Sequence, residues 1–180
     1  MKKLFFLAVC ALALVLTLSA CLDGGDGVTY DISDDGTYAT VVGYVGTDTK
    51  VEIADTYEGV PVMEIYEGAF QNNRIIKEVK IPDGVARIEN SAFSDCNRLI
   101  SVVIGDSVTN IGDYAFCGCI SLTSVTIPNS VTSIGDEAFY QCSSLSDVYY
   151  TGTAEQWQQI SIGFSNDNLT SATIHYNYAP

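Results

Sequence analysis

The apolar positions of this chain recur with a fixed period of 23 residues. The clearest column is a phenylalanine that is always preceded by alanine, at Phe70, Phe93, Phe116 and Phe139. The other apolar columns are Val62, Val85, Val108 and Val131; Ile65, Ile88, Ile111 and Ile134; Ile76, Leu99, Leu122 and Leu145; and Val79, Val102, Val125 and Val148. A period of roughly 20–50 residues is typical of stacked repeat proteins, in which neighbouring repeats bury each other's apolar side. The pattern therefore predicts a solenoid.

Each repeat predicts two short extended segments. In residues 122–127, alternation sends Val125 and Ile127 inward and leaves Ser124 and Thr126 pointing out. A turn follows, and residues 131–134 form the second segment. We expect the stacked phenylalanines to lie about 5 Å apart, as neighbouring strands do.

A polar column follows the second segment, at Asn90, Asp113 and Asp136. An amide or carboxylate oxygen at this position is expected to cap the first free amides of a short helix or turn.

The two ends of the repeat region depart from the period. Residues 28–53 predict an N-terminal β cap with strands at 28–32, 38–45 and 49–53 and a hairpin turn at Asp35-Gly36. Residues 54–149 hold four repeats, and residues 150–180 predict a C-terminal cap. There, Thr153 and Gln156 have the spacing of a capping box that starts a helix carrying Trp157, and residues 172–176 alternate as a final strand.

The first 20 residues have the features of an export signal. Lys2 and Lys3 precede an uncharged apolar run at residues 4–18, which is shorter than the about 20 residues of a membrane span. The run ends in Leu-Ser-Ala-Cys, which resembles the lipobox of bacterial lipoproteins. The resemblance implies that Cys21 becomes the lipidated first residue, anchored to the cell membrane or outer membrane, with residues 21–27 as a flexible, glycine-rich tether. An ordinary secretory signal with an incidental cysteine is the alternative.

Charge excludes some partners. The chain carries 8 Lys and Arg against 22 Asp and Glu, a net charge of −14, and loss of Lys2 and Lys3 with a signal would leave −16. After Arg98 there is neither Lys nor Arg. Binding to phosphate backbones needs clustered cations, so nucleic acid and anionic lipid headgroups are not predicted partners.

The repeat resembles a known family. The string V-x-x-I-G-x-x-A-F-x-x-C-x-x-L-x-x-V-x-I-P, matched over residues 54–148, is similar to the BspA-like, or treponemal-type, leucine-rich repeat of bacterial surface proteins. Asn73 departs from its cysteine, and Tyr66 and Glu89 depart from its glycine. The resemblance implies a leucine-rich-repeat solenoid and attachment to host proteins or other cells.

Four cysteines lie in the repeats. Cys96, Cys119 and Cys142 recur at the period, and Cys117 is close to Cys119. Equivalent positions on stacked coils point in parallel, which favours a ladder of buried thiols over disulfides. A zinc site is a further alternative, although sulfurs in a row do not form a tetrahedron.

No catalytic constellation is evident. His175 is the one histidine of the chain and has no nucleophile fixed beside it by a motif. The acid pairs Asp34-Asp35 and Asp136-Glu137 fall where a hairpin turn and a helix start favour acids. We predict neither an enzyme nor a cofactor.

The outward side of the repeat strands is the candidate ligand-binding surface. Its predicted members form two columns: Glu78, Ser101, Ser124 and Asp147; and Lys80, Val103, Thr126 and Tyr149. Val103 and Tyr149 are apolar surface that a solvated strand face does not need, and solenoids present such faces to ligands. We predict a monomeric surface lipoprotein that binds a protein or polysaccharide in adhesion. The alternative is an envelope scaffold whose partners belong to the same cell.

Overall fold

The computed structural model describes residues 27–179. Within them the chain winds into a β-solenoid with two short strands in each regular coil, and strands of neighbouring central coils pair at an offset of 23 residues. The predicted leucine-rich-repeat solenoid is confirmed. The signal, Cys21 and residues 21–26 of the tether lie outside the described residues.

The first sheet has eight strands. Its ladder runs through β1 (Val28–Ile32), β2 (Ala39–Tyr44), β5 (Val60–Ile65), β7 (Arg87–Ile88), β9 (Asn110–Ile111), β11 (Ser133–Ile134) and β13 (Ser161–Ile162), and β4 (Thr56–Tyr57) pairs with β5. All pairs are parallel except β1 with β2 and β4 with β5.

The second sheet has six strands and is parallel throughout. In spatial order its strands are β3 (Lys50–Glu52), β6 (Glu78–Lys80), β8 (Ser101–Val103), β10 (Ser124–Ile127), β12 (Asp147–Tyr150) and β14 (Thr173–His175). Strands β6, β8, β10 and β12 correspond to the L-x-x-V-x-I part of the repeat string. The outward side of this sheet is called the open face below.

The predicted terminal strands form, with small differences in length. The hairpin between β1 and β2 is fixed by Asp35, whose Oδ1 accepts bonds from the Ser33 hydroxyl and from the amide and hydroxyl of Thr37. Beyond the hairpin, β2 pairs with β5 and β3 with β6, so residues 39–52 continue both ladders. The division of the chain into caps and four repeats stays a prediction.

Stacked phenylalanine rings form the centre of the core. Phe70, Phe93, Phe116 and Phe139 are at most 1% exposed, and successive ring centroids are 4.7, 5.1 and 5.1 Å apart with interplanar angles of 18° or less. The spacing agrees with the expected strand separation. Offset parallel stacking adds about 0.5–1.5 kcal/mol per pair to the burial of apolar area.

The turns that carry these rings also hydrogen-bond from coil to coil. The amides of Phe70, Phe93 and Phe116 each donate to the carbonyl of the alanine one coil further on, at 2.7–2.8 Å. Within residues 27–179, helix occurs only at α1 (Ala154–Trp157) and α2 (Asp167–Thr170). The predicted capping box of α1 is confirmed, because Thr153 and Gln156 exchange side chain–backbone bonds.

The polar column at Asn90, Asp113 and Asp136 caps backbone amides from coil to coil. The Oδ1 of Asn90 accepts the amide of Asp113 at 2.9 Å, and the Oδ1 of Asp113 accepts that of Asp136 at 2.9 Å. Asp136 in turn accepts the amide of Phe164 at 3.0 Å. Each oxygen therefore caps the next coil. The predicted capping of a turn is therefore found, and the capped amide belongs to the neighbouring coil.

This column explains the glycine that precedes it. A Cβ on Gly135 would lie 2.6 Å from the amide nitrogen of Asp113 and 2.7 Å from the carbonyl carbon of Gly112. Real Cβ atoms do not approach backbone so closely, so only glycine lets the coils meet here.

The cysteines form the predicted ladder of thiols. Cys96, Cys119 and Cys142 are free and at most 1% exposed, and each Sγ donates to the carbonyl of the phenylalanine 26 residues earlier, at 3.1–3.2 Å. Cys117 is also free but only half-buried. Asn73 takes the cysteine position in the first repeat and instead accepts the amides of Ile75 and Ile76 with its own side chain.

Candidate binding face

The open face presents two outward rows of side chains. Strand register places them in line: Lys50, Glu78, Ser101, Ser124, Asp147 and Thr173 in one row, and Glu52, Lys80, Val103, Thr126, Tyr149 and His175 in the other. All eight face residues predicted from the sequence lie in these rows. Their use in binding remains a prediction.

The predicted face residues differ in exposure. Glu78, Lys80 and Val103 are exposed, whereas the side chains of the second group are half-buried: Ser101, Ser124, Asp147 and Tyr149. Thr126 retains only 6% of its accessible surface. The expectation that Thr126 is exposed does not hold, since its register neighbours Val103 and Tyr149 are larger and flank it.

Small side chains make the middle of the face low. In one row Ser101 and Ser124 lie between the longer Glu78 and Asp147, and in the other the buried Thr126 lies between Val103 and Tyr149. Neighbouring strands are about 4.8 Å apart and three spacings separate β6 from β12, so this depression is roughly 14 Å across. Ile100, which is 41% exposed, and Val103, which is 36% exposed, add apolar surface beside it.

An aromatic cluster closes the C-terminal end of the face. The Tyr149 ring stacks on the His175 ring at 4.8 Å and 16°, and it also contacts Tyr178 at 4.8 Å and 44°. The backbone amide of Tyr178 donates to the carbonyl of Tyr150 at 3.0 Å, which holds the C-terminal segment against the sheet. Below the surface, Tyr150 packs edge-on against Trp157 at 5.1 Å.

Asp147 joins this cluster. The Nε2 of His175 lies 2.7 Å from Asp147 Oδ1, so this nitrogen carries the proton, and the Ser146 hydroxyl donates to Oδ2 at 2.7 Å. The bond from His175, together with that from Ser146, lowers the pKa of the Asp147 carboxyl below its ordinary value. Asp147 is therefore ionised at neutral pH, and Asp147, Tyr149, His175 and Tyr178 form one cluster, called the C-terminal cluster below.

Sequence reasoning placed Asp147 and Tyr149 on the face but missed His175 and Tyr178. His175 follows Asp147 by 28 residues and pairs in register with Tyr149, so a search at the repeat period does not join them. The alternation that predicted the final strand was the available signal, because a strand after β12 must pair beside it.

The other end of the face is charged with both signs. Lys50 and Glu52 form an exposed ion pair at 3.7 Å, and Glu78 and Lys80 lie on the adjacent strand. Exposed pairs of this kind contribute at most about 1 kcal/mol to stability.

A depression of about 360 Å³ lies away from this face, on the first sheet. It is lined by Tyr38, Met63, Glu64, Ala86, Arg87 and Thr109 and includes none of the predicted face residues. Arg87 bridges Glu64 at 3.0 Å and Glu89 at 3.1 Å, and burial raises the pKa of the Glu89 carboxyl. The guanidinium is already engaged by two carboxylates, so this depression offers little charge for a ligand.

The described residues hold no cluster of three or more His, Cys, Asp or Glu that could hold a metal ion. In the same part of the chain, no helix has the length and apolar character needed to cross a membrane.

Comparison of the chain with known protein families and solved structures agrees with this architecture. The model for the BspA type leucine-rich repeat region matches six copies over residues 63–179. The chain belongs to the BspA-type leucine-rich repeat family. Members among solved structures include a leucine-rich repeat protein from Bacteroides capillosus, 34% identical, with a TM-score of 0.62, covering 69% of this chain and 94% of that one.

Two further structures are similar. The leucine-rich repeat protein of T. pallidum is 27% identical, with a TM-score of 0.54 and coverage of 68% of each chain. A leucine-rich cell surface protein from Faecalibacterium prausnitzii is 30% identical, with a TM-score of 0.53, covering 76% of this chain and 41% of that one. These relatives are leucine-rich repeat proteins, and this family is not one of enzymes. Among curated proteins, none matches.

Proposed function

We propose that this protein is an exported surface protein that binds a protein partner through its open face, in adhesion to a host or neighbouring cell. The observation that carries the proposal is the C-terminal cluster, in which aromatic rings are held in fixed contact at the surface of a regular sheet. A face that served only solubility would not need such rings, and aromatic side chains are enriched at protein interfaces.

Two further facts support the proposal. Leucine-rich repeat solenoids present an extended sheet face that suits protein ligands. The Faecalibacterium prausnitzii relative is a cell surface protein by its description. Anchoring through a lipid on Cys21 completes the proposal, since several acyl chains on one residue give lasting membrane attachment. Mass spectrometry of the mature N-terminus tests the anchor, and an unmodified N-terminus other than Cys21 contradicts it.

Site-specific photo-cross-linking tests the face. A photoreactive amino acid at Ser101, within the depression, is compared with the same amino acid at Thr132, which is exposed on the first sheet. Intact cells bearing the protein are mixed with host or neighbouring cells and then irradiated. We expect a discrete cross-linked protein from position 101 and none from position 132. Equal products from both positions, or none from either, would overturn binding through the open face.

The same experiment separates adhesion from a scaffold role. A partner that comes from the second cell type supports adhesion. A partner obtained equally well without the second cells would assign the protein to the envelope of its own cell.

A further inference from the structure

The open face changes its charge from one end to the other. Lys50 and Lys80 lie in its first two strands, whereas no Lys or Arg follows Arg98 anywhere in the chain. The later coils carry seven Asp and Glu, of which Asp147 lies in the face itself. The half of the face that starts at β8 therefore presents a carboxylate without a competing fixed cation.

The C-terminal cluster is preorganised around this carboxylate. Asp147 is held by the Ser146 hydroxyl and by His175 at 2.7 Å each, and His175 is held by its stack on Tyr149. A ligand that binds here does not have to pay for ordering these side chains, which is a common source of affinity.

The chemistry of the cluster fits a cation. Aromatic faces attract ammonium and guanidinium groups through the ring quadrupole, and a planar guanidinium also stacks on them. Tyr178 is 37% exposed at the rim of the cluster, next to the Asp147–His175 pair. A carboxylate beside exposed tyrosine is thus complementary to arginine or lysine.

The depression supplies room for such a side chain. Ser101 and Ser124 leave the surface low between Glu78 and Asp147, and exposed Val103 lies in the neighbouring row. The aliphatic stem of a long basic side chain can lie on this apolar surface while its charged end reaches Asp147.

We propose that the C-terminal half of the open face receives a cationic polypeptide segment of the partner, with an arginine or lysine that pairs with Asp147 and packs on Tyr149 and Tyr178. This inference rests on the proposed function and names its partner by chemistry. At the other end of the face Glu52 and Glu78 balance Lys50 and Lys80, so Asp147 and the aromatic rings, and not repulsion from that end, set the position of the segment.

Peptide binding to the full-length protein in detergent tests the inference. The probes are a fluorescent 12-residue peptide of alternating glycine and arginine and the same peptide with citrulline, a neutral isostere of arginine. Fluorescence anisotropy at low and moderate salt gives the dissociation constants. We expect the arginine peptide to bind, more weakly as salt rises, and the citrulline peptide to bind at least about tenfold more weakly.

Variants locate the site. Asp147→Asn keeps one side-chain oxygen that can accept from His175, and its amide can donate to the Ser146 hydroxyl, so it should fold. It should weaken the arginine peptide about fivefold to tenfold. Tyr178→Ala should weaken it by a similar factor. Asp106→Asn removes the same charge from the turn after β8 and should change the affinity less than twofold.

The outcomes are distinguishable. Equal effects of Asp106→Asn and Asp147→Asn would mean diffuse attraction to an acidic protein and would overturn the site. Failure of the arginine peptide to bind, or equal binding of the citrulline peptide, would overturn the cationic partner. Binding of a neutral oligosaccharide that is lost in Tyr178→Ala but kept in Asp147→Asn would mean that the partner is a glycan and not a cationic polypeptide. In each of these cases cross-linking from Ser101 still reports separately on whether the face binds a protein at all.

Discussion

The side-chain oxygen of Asn166 accepts the backbone amide of Phe139 at 2.9 Å. In the preceding coils, the amide of each stacked phenylalanine donates to an alanine carbonyl of the following coil. Phe139 is the last of the column, and Asn166 supplies the missing acceptor. Its Nδ2 donates to the carbonyls of Gly135 and Gly163 at 2.9 Å, so one buried side chain closes the ladder.

Replacing Asn166 by alanine should therefore destabilise the whole solenoid. The amide of Phe139 would lose its partner while staying buried, and we expect a loss of about 2–4 kcal/mol in the free energy of unfolding. Urea denaturation measures the loss, and hydrogen exchange should show the Phe139 amide opening first. Asn168→Ala, a change in the same helix that makes none of these bonds, is the control. An equal loss in both variants would show that Asn166 has no special place in the ladder.

Gly135→Ala should lower the free energy of unfolding, although replacing glycine by alanine usually stabilises regular secondary structure. The added methyl would meet backbone atoms of Gly112 and Asp113 at 2.6–2.7 Å, so the two coils would have to separate. We expect a loss of about 1–3 kcal/mol by urea denaturation. Gly84→Ala is the matched control, because its Cβ would come no closer than 3.3 Å to the Val62 carbonyl oxygen.

A double variant, Gly135→Ala with Asp113→Ala, shows whether the added methyl conflicts with the backbone or with the side chain of Asp113. Adding Asp113→Ala removes the carboxylate but leaves the backbone, so we expect no recovery of stability. Full recovery would place the conflict at the side chain of Asp113 instead.

The period of 23 residues explains why most of the fold could be predicted. The columns at Val125 and Phe116 face inward because every coil repeats the same path, so their spacing fixes the ladders without any knowledge of the termini. Asn166 could not be predicted in this way, since it lies 27 residues after Phe139 and belongs to no column. The Asn166 side-chain amide takes the place of the backbone carbonyl that a further coil would supply, and this role is visible only in the folded structure.

The candidate site was predictable to a lesser degree. Alternation gives the direction of a side chain, so Thr126 was correctly placed on the outward row, but it does not say how far neighbours cover it. The Asp147–His175 pair depends on where the last strand docks. Docking is set by the long-range fit of β14 on β12, which local sequence does not encode.

The thiol ladder predicts a graded reactivity. Cys96, Cys119 and Cys142 are buried and hydrogen-bonded to carbonyls, and the pKa of Cys119 is raised well above its usual value by its neighbours Cys142 and Cys96 and by burial. Burial also raises the pKa of the Cys117 thiol, but Cys117 is only half-buried. Since the reagent must reach the sulfur, the three buried thiols should react slowly and Cys117 should react first.

Iodoacetamide labelling followed by peptide mass spectrometry measures this order. In the folded protein we expect label at Cys117 well before the other three, and equal labelling after denaturation in urea. Protein treated with an oxidant before labelling should show the same order of labelling, because parallel side chains on stacked coils cannot close a disulfide without backbone movement. A peptide pair joined through Cys96 and Cys119 would contradict the ladder.

The Asp147–His175 pair predicts a contribution to stability that depends on pH. The pKa of Asp147 is lowered in the folded protein, first by the bond from His175 and then by that from Ser146. A lowered pKa means that the bonds stabilise the folded state above the ordinary aspartate value of 3.8 and that this stabilisation is lost as the pH falls through the folded value. Carbon-13 NMR of the Asp147 carboxyl should give a midpoint below 3.8 in the wild type and a higher midpoint in His175→Phe, which keeps a ring against Tyr149 but has no donor for the carboxylate. In urea denaturation, the stability difference between the wild type and Asp147→Asn should be present near neutral pH and shrink towards pH about 2. An unchanged Asp147 midpoint in His175→Phe would show that the pair does not persist in solution and would remove the fixed carboxylate on which recognition of a cation depends.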